Sequence, residues 1–354
     1  MGKTTVGLKI GSTSIKFVEL IHEKGAYRLK NIGLEEFPFS ENQEGYVNRP
    51  TFIAQKIREI IRNYRLNPRR IVTGVEGESI AVRVIKVPWM KKRELKEAIR
   101  WEAEEHLPYS VEEIALGYQV LEGGTSNSGK RELSVLLVGV KKEDINEHLS
   151  LFTQVGIYPA IIDVNSLALY NLAESINLID KAEGRAILNI GHHTTNLLVL
   201  SRGFSFLIRD IKFGGQSVTL SLMKELGVSY AEAEKIKKEF SITGKGLDKQ
   251  IKEKVDGVIQ EALGDLIKEM IHSFEYFSST RGGTSVQKVF LSGGGCLIKN
   301  MDNFFSQQLG IPVERINPFT GIIYQKEKLR FSPLVAPVFS VPLGLAIREI
   351  SWYD

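Results

Sequence analysis

Residues 6–20 alternate between apolar and other side chains on either side of a short polar segment. Val6, Leu8 and Ile10 form one alternating run, and a second run of the same kind begins at Ile15. The glycine and hydroxyl residues between the two runs are typical of a tight turn. The pattern therefore predicts a strand, a turn and a second strand.

The turn between these strands, Gly11-Ser12-Thr13-Ser14, has a composition that suits an anion. Because Gly11 has no Cβ, backbone N–H groups and hydroxyl Oγ atoms can converge on one ligand. Glycine-containing turns are also common in hairpins that bind nothing. One such turn therefore does not establish a phosphate site.

The same pattern returns at residues 186–200, at a constant offset of 180 positions. Gly11 corresponds to Gly191, and Ser14 corresponds to Thr194. Internal repetition of this kind indicates a duplicated structural unit. We therefore expect two α/β halves with one phosphate-binding cleft between them.

Apolar periodicity elsewhere predicts that strands and helices alternate, which is typical of an α/β protein. Further strands are predicted at 27–37, 71–75, 81–87, 116–121, 132–140, 159–163, 286–291 and 313–315. Helices are predicted at 51–61, 91–106, 142–155, 167–176, 230–240, 251–277 and 298–309, with another from residue 217 and a last short one after 342–346.

The predicted elements divide the chain into two domains and an insertion. Residues 83–156 have strands and helices of their own, and we expect them to form a small inserted α/β subdomain. The second, nucleotide-binding domain is predicted to cover residues 187–335. The core of the first domain is predicted to consist of residues 1–82, 157–186 and 336–354.

The composition is that of a globular protein, since 43% of the 354 residues are hydrophobic and 25% are charged. A net charge of +4 is small for this length, and no dense basic stripe with interleaved aromatics occurs, so nucleic acid is not a favoured partner. Cys296 has no second cysteine to pair with, which fits a reducing cytoplasm. Because no apolar segment approaches a membrane span of roughly 20 residues, we expect contact with the membrane only through a partner.

A second glycine-rich segment, residues 292–295 (SGGG), follows the predicted strand at 286–291. Glycines ahead of a helix allow a base or a phosphate to approach the backbone closely. Three glycines alone are more often a tight turn. Combined with the two hairpins and the Gly214-Gly215 turn before another helix, they form a more specific nucleotide-type pattern.

This order of motifs resembles the actin-like ATPase superfamily over the whole chain. The hairpins match its phosphate 1 and phosphate 2 motifs, residues 289–300 match its adenosine motif, and residues 342–346 match its second connecting motif. Residues 233–237 (AEKIK) are similar to the A-E-x-I-K run that flanks the adenosine. The resemblance implies an actin-like, ribonuclease-H-like duplicated two-domain fold with an inserted subdomain. It also implies ATP or ADP, with or without Mg²⁺, bound by Gly11, Ser12, Thr13, Lys16, Gly191, Thr194, Thr195, Asn196, Gly214, Gly215, Glu234, Lys237, Gly293, Gly294 and Gly295.

Within the superfamily, the chain more closely resembles the PilM family of type IV pilus assembly. The stretches that carry this resemblance are 101–104 (WEAE) with 106–109 (HLPY), 118–121 (YQVL), 136–140 (LLVGV) and 156–159 (GIYP) followed by Asp163. The cell-division protein FtsA carries its inserted subdomain at the same place. The resemblance implies an assembly scaffold or nucleotide-dependent switch for the inner-membrane complex of a type IV pilus or a related type II secretion system. It leaves self-association open.

The implied partner is the cytoplasmic N-terminal peptide of a PilN-like inner-membrane protein. A peptide groove needs exposed apolar surface, and Trp101, Leu107 and Tyr109 of the inserted subdomain are the candidates. The alternative for each of these side chains is packing inside the subdomain. The resemblance thus implies a cytoplasmic protein that is peripheral to the inner membrane through its partner.

Two positions depart from the superfamily pattern. The superfamily usually places Asp in both phosphate motifs, where the carboxylates hold Mg²⁺ and its waters, whereas the matching residues here are Lys9 and Asn189. Lys9 brings a cation that would compete with Mg²⁺, and Asn189 brings no charge. Asp163 is the best remaining catalytic carboxylate, and a structural role at the end of a strand is at least as expected. Neighbouring histidines on a turn splay apart, so we expect no metal site at the histidine pair 192–193.

Three functions remain open at this point. The first is a nucleotide-binding assembly protein that is at most a very slow ATPase. The second is a small-molecule kinase of the same superfamily, which would need a carboxylate base near the substrate hydroxyl and a metal-holding Asp; the missing Asp pair at positions 9 and 189 argues against it. The third is an FtsA-like division filament protein, whose C-terminal amphipathic helix has no counterpart in the last residues of this sequence.

Overall fold

A computed structural model describes residues 3–23, 25–37, 49–125, 131–179, 183–201, 206–242, 249–280, 284–325 and 332–348. Its strands are β1 (Lys3–Ile10), β2 (Ser14–Glu23), β3 (Ala26–Glu36), β4 (Ile71–Val75), β5 (Ile80–Pro88), β6 (Ile114–Thr125), β7 (Arg131–Lys141), β8 (Ile161–Val164), β9 (Gly184–Ile190), β10 (Thr195–Leu200), β11 (Phe206–Ile211), β12 (Val286–Ser292), β13 (Val313–Arg315) and β14 (Ile322–Ile323). Its helices are α1 (Pro50–Asn63), α2 (Lys92–His106), α3 (Lys142–Thr153), α4 (Asn165–Ser175), α5 (Gly215–Leu226), α6 (Tyr230–Ile242), α7 (Lys249–Thr280), α8 (Met301–Leu309) and α9 (Ser340–Ile347).

Two sheets share one order of five strands, and β14 adds a sixth strand to the first sheet. The first sheet has the order β14-β3-β2-β1-β4-β8, and the second has the order β11-β10-β9-β12-β13. In each sheet an antiparallel three-stranded meander is followed by two strands parallel to its first strand. The predicted α/β duplication is therefore confirmed at the level of topology.

The hairpins repeat each other residue by residue. Ile10 pairs with Ile15 in the first hairpin, and Ile190 pairs with Thr195 in the second. Each of these positions is displaced by the offset of 180 that the sequence shows. Both turns therefore have the same length and the same place at the end of a strand.

Polar residues follow the carboxyl ends of the parallel strands. Glu76 comes directly after β4, and Asn165 comes directly after β8. Since β1, β4 and β8 are parallel neighbours, these residues and the turn at Gly11 meet at one edge of the first sheet. Gly191 and Gly293 occupy the equivalent edge of the second sheet. Ligands of open α/β sheets bind at such edges.

A third sheet, β5-β7-β6, lies within the predicted insertion. Leu95 and Ile99 of α2 pack on Val135 and Leu137 of β7 and form a small core of their own. Strand β5 begins at Ile80, ahead of the expected boundary at residue 83. The β14 pair, although it falls within residues 187–335, hydrogen-bonds to β3 of the first sheet. The division into domains stays a prediction.

Helix α9 joins the two halves through the main apolar core. Residues 342–346, expected to precede the last helix, lie inside α9. The prolyl ring of Pro342 fits because the first turn of a helix needs no hydrogen bond from its N–H groups. Leu343 of α9 shares one core with Leu169 of α4 and with Ile187 and Leu198 of the second sheet.

Close approach of α9 to its neighbours depends on Gly344. A Cβ at Gly344 would lie 1.9 Å from the carbonyl oxygen of Ala168 in α4. Backbone atoms cannot move aside as a flexible side chain can. This glycine therefore sets the distance between α9 and α4.

The described helices include none that is both long enough and apolar enough to span a bilayer.

Candidate functional site

The two hairpin turns have the same backbone geometry. The N–H of Gly11 donates to the carbonyl of Ser14 at 2.9 Å, and the N–H of Gly191 donates to the carbonyl of Thr194 at 2.9 Å. Within the described residues, the N–H groups of Ser12 and Thr13 donate to no acceptor. The first turn thus offers open backbone donors of the kind that bind phosphate.

The N-terminus of α5 is bonded to the second turn. Gly215 N–H donates to Gly191 O at 2.9 Å, and Gln216 N–H donates to His192 O at 2.9 Å. A Cβ at Gly214 would lie 2.3 Å from His192 O, so only glycine allows this approach. The Gly214-Gly215 pair therefore positions the turn, and the donors of Gly215 and Gln216 are already used.

The glycine segment after β12 closes over the end of β9. Gly293 has a φ of +82°, and its N–H donates to Pro337 O at 3.2 Å. A Cβ at Gly293 would lie 2.3 Å from Ile190 O, and one at Gly295 would lie 2.3 Å from Ile190 Cγ2. By contrast, a Cβ at Gly294 would meet nothing within 4 Å. Gly294 therefore faces open space.

Glu234 and Lys237 of α6 are tied to each other and to α5. Lys237 Nζ donates to Gly215 O at 2.9 Å and to Thr219 Oγ1 at 2.7 Å, and it forms an ion pair with Glu234. The Glu234 carboxylate also accepts from the Thr219 hydroxyl. Burial lowers the pKa of Lys237, although the Glu234 charge opposes this effect. The Glu234–Lys237 pair therefore holds α6 against the N-terminal part of α5, beside the second turn.

Lys9 lies at the end of β1 and forms an ion pair with Glu76. Lys9 Nζ is 2.6 Å from Glu76 Oε2, and Asn165 Nδ2 donates to the same oxygen at 2.8 Å. Burial would raise the pKa of Glu76, but Lys9 and Asn165 outweigh it, and the pKa lies below its ordinary value. Glu76 is therefore a carboxylate held ionised at the edge of the first sheet.

Lys16 lies opposite Lys9 in the β1–β2 register. Its Nζ donates to Ser14 Oγ at 2.7 Å. Burial, reinforced by the charge of Lys9, lowers the pKa of Lys16 to about 8. Two ammonium groups therefore lie beside the first turn.

A polar chain runs across the second hairpin. Asn189 Nδ2 donates to Asn196 Oδ1 at 2.9 Å, and Asn196 Nδ2 donates to Asp210 Oδ1 at 2.7 Å. Ser292 Oγ donates to Asn189 Oδ1 at 3.2 Å. Burial raises the pKa of Asp210. This chain fixes the amide orientation of Asn189, because Asp210 can only accept when it is ionised.

The residues between β4 and β5 contact three parts of the molecule. Glu76 binds Lys9 of the first hairpin, as described above. Gly77 N–H donates to Asp210 Oδ2 of the second sheet at 3.1 Å, and Glu78 Oε1 is 2.8 Å from Lys212 Nζ. Glu78 O accepts from Tyr109 OH of the inserted subdomain at 2.7 Å.

The other carboxylate and histidine candidates make structural contacts. Asp163 is buried, its Oδ1 accepts from Val164 N–H at 2.8 Å, and burial raises its pKa. The rings of His192 and His193 meet edge to face with centroids 4.6 Å apart. Burial lowers the pKa of His192 to about 3. In the described part of the chain, the three-ligand group suited to a metal ion is on α2 (Glu102, Glu105 and His106), away from the cleft.

The residues at the two phosphate turns do not fit Mg²⁺. A hard divalent cation takes oxygen ligands, usually including a carboxylate. Lys9 places an ammonium at one of the expected positions, and the oxygen of Asn189 at the other already accepts from Ser292. Among the described residues, the two positions where the superfamily holds Mg²⁺ therefore supply no carboxylate pair, although the turns beside them are of the phosphate-binding type.

Comparison with known proteins identifies the family to which this fold belongs. A family profile described as type IV pilus assembly protein PilM matches residues 7–350. The chain belongs to the PilM family. A solved PilM–PilN type IV pilus biogenesis complex superimposes with a TM-score of 0.80 at 26% identity over 98% of both chains. The match confirms the resemblance and the actin-like fold that the sequence predicts.

More distant structures share the fold alone. Ethanolamine utilization protein EutJ from Carboxydothermus hydrogenoformans has a TM-score of 0.56 at 15% identity, covering 98% of this chain and 90% of its own. MreB5 of Spiroplasma citri bound to AMPPNP has a TM-score of 0.50 at 13% identity, covering 97% and 94%. The PilM family fold is thus a member of the wider actin-like group.

The three candidate partner-binding side chains differ in exposure. Trp101 of α2 is 75% exposed, so it does not pack inside the subdomain. Leu107 is 5% exposed and packs in the core of the inserted subdomain. Tyr109 is half-buried, with Lys141 Nζ 5.3 Å from the centre of its ring. Trp101 is therefore the candidate with apolar surface to offer.

Sequence reasoning missed Glu76 and Asp210. Glu76 directly follows the predicted strand at 71–75. Because ligands of α/β sheets bind at the carboxyl ends of parallel strands, this position could have identified Glu76 as a candidate site residue. Asp210 lies on β11 opposite Asn196. Its role depends on pairing between strands, for which the local sequence carries no signal.

Proposed function

We propose that the chain binds ATP or ADP in the cleft between its two halves. The observation that carries the proposal is the pair of hairpin turns with matching register and matching hydrogen bonds, one at the end of β1 and one at the end of β9. The phosphates lie against residues 11–13 and Thr194. Thr195 is fully buried, and its hydroxyl donates to Phe213 O at 2.7 Å, so it supports the turn rather than the ligand. The adenosine lies near Gly294 and the Glu234–Lys237 pair. Support comes from the shared fold, since MreB5 of Spiroplasma citri has been solved with AMPPNP and with ADP.

Gly294→Trp tests this placement because it adds a large ring where the structure has open space. We expect the variant to fold and to lose ATP and ADP binding in a calorimetric titration. Gly257→Trp, on the exposed side of α7 with nothing within 4 Å of its Cβ, is the matched control. Unchanged affinity in Gly294→Trp would refute the adenosine site.

The inserted subdomain binds the cytoplasmic N-terminal peptide of a PilN-like membrane protein. The solved relative is a PilM–PilN complex, and Trp101 supplies an exposed aromatic anchor of the type that dominates interfaces. The chain then acts as an assembly scaffold or nucleotide-dependent switch at the cytoplasmic face of the inner membrane. Membrane contact passes through this partner.

Trp101→Ala tests the peptide site. We expect peptide affinity to fall by about 1–3 kcal/mol, as for a hot-spot aromatic residue, with ATP affinity unchanged. Trp89→Ala is the control, since Trp89 is also exposed in the inserted subdomain but precedes α2. Peptide binding equal to that of the wild type would exclude Trp101 as an anchor.

A further inference from the structure

The positive charge beside the first hairpin turn, residues 11–14, comes from two lysine side chains, Lys9 and Lys16. Within the described residues, the ammonium group of Lys9 donates a hydrogen bond to Glu76 alone. An ammonium group has three N–H donors, so two of them remain available for a ligand. Lys16 stands opposite Lys9 across the strand pair. The charge of Lys9 is one reason why the pKa of Lys16 is lowered to about 8, after burial. Two cations therefore sit beside the first phosphate turn.

The carboxylates nearby are already engaged. Glu76 Oε2 holds Lys9 and Asn165. Asp210 accepts from Asn196 at one oxygen and from Gly77 N–H at the other. Neither occupies the position at which the superfamily places its Asp, two residues before the turn glycine, or the repeat of that position in the second hairpin. Those two places belong to Lys9 and Asn189.

We propose that Lys9 takes the place of the divalent metal ion, so that this cleft binds the phosphates of ATP or ADP without Mg²⁺. The inference rests on the proposed nucleotide binding. An ammonium group forms charge-assisted hydrogen bonds to phosphate oxygens. Glu76 and Asn165 keep Lys9 at the end of β1, so the group is in position before the nucleotide arrives.

The test measures ATP and ADP affinity of the full chain in excess Mg²⁺ and in excess EDTA. We expect the wild-type Kd to differ by less than about threefold between the two buffers. Lys9→Met should lose about tenfold or more in both buffers, as for a lost charge-assisted contact. Lys3→Met is the matched control, because Lys3 is exposed on the same strand.

A double variant tests whether Mg²⁺ dependence returns when the two carboxylates are put back. Lys9→Asp combined with Asn189→Asp restores the carboxylate pair of the superfamily. We expect this variant to bind ATP in Mg²⁺ and to lose about tenfold or more in EDTA. A cooperative thermal unfolding transition, compared with that of the wild type, shows whether the double variant is folded.

The outcomes separate the inference from the proposal on which it rests. A loss of about tenfold or more for the wild type in EDTA overturns the role of Lys9, while nucleotide binding stands. A folded Lys9→Met variant that binds as tightly as the wild type overturns it too. If the wild type binds neither nucleotide in either buffer, the proposed nucleotide binding falls, and this inference falls with it.

Discussion

The buried imidazole of His148 makes the stability of the protein depend on pH. His148 lies on α3, is 1% exposed, and its Nε2 is 2.9 Å from Thr73 Oγ1 of β4. Burial lowers the pKa of His148 from 6.5 to about 4. Between these two values the unfolded chain binds a proton that the folded chain does not.

The sign and size of the effect follow from this difference. Because the unfolded state takes up the proton, stability falls as the pH drops below 6.5 and continues to fall until about pH 4. Full titration corresponds to about 3 kcal/mol, and the part between about pH 7 and about pH 5 corresponds to about 2 kcal/mol. His148→Gln removes this contribution and keeps a side chain that can hydrogen-bond to Thr73.

The assay is urea unfolding of the wild type, His148→Gln and His106→Gln at about pH 7 and about pH 5. We expect the free energy of unfolding to fall by about 2 kcal/mol more in the wild type than in His148→Gln. His106→Gln, at a well exposed position, controls for the effect of replacing a histidine by glutamine as such. Equal pH dependence in the wild type and His148→Gln would refute the reasoning.

Two further predictions concern turnover and packing. ATP turnover should stay well below about 1 per second in a phosphate-release assay, because Lys9 and Asn189 replace the usual Asp pair; faster Mg²⁺-dependent turnover would assign the chemistry to another carboxylate. Gly344→Ala should lower stability by about 1–3 kcal/mol in urea unfolding, because its Cβ would collide with Ala168 O in α4. Gly257→Ala on the open side of α7 should be neutral or stabilising, and equal stabilities for the two variants would contradict the packing argument.

Local pattern was enough for much of the fold. Strands with period-two alternation in sequence, such as β1, were predictable because the pattern depends on neighbouring residues alone. Strand β14 was not predicted, since two residues are too few to show a period. Helix α9 was placed too late, since it begins at Ser340 and already includes residues 342–346; the proline at 342 fits because it lies in the first turn of the helix.

The site was less predictable than the fold. The hairpin turns could be found because glycine and hydroxyl residues mark them in sequence. The pairing of Lys9 with Glu76 could not, because the two residues are 67 positions apart and meet only when β1 and β4 become parallel neighbours. Exposure of Trp101, by contrast, could have been predicted. Leu95, Ile99 and Ala103 set the buried face of α2, and Trp101, two residues after Ile99, does not share that face.

The segment between β4 and β5 limits how the molecule can move. It is fastened to the first hairpin by Glu76, to the second sheet by Gly77 and to the inserted subdomain by the Glu78 carbonyl. The connection between Val75 and Ile80 is too short to extend far when the two halves rotate about a hinge. Rotation of one half against the other would therefore act on the hydrogen bond from Gly77 to Asp210, and the next residue, Glu78, carries the carbonyl that binds Tyr109 of the subdomain with Trp101.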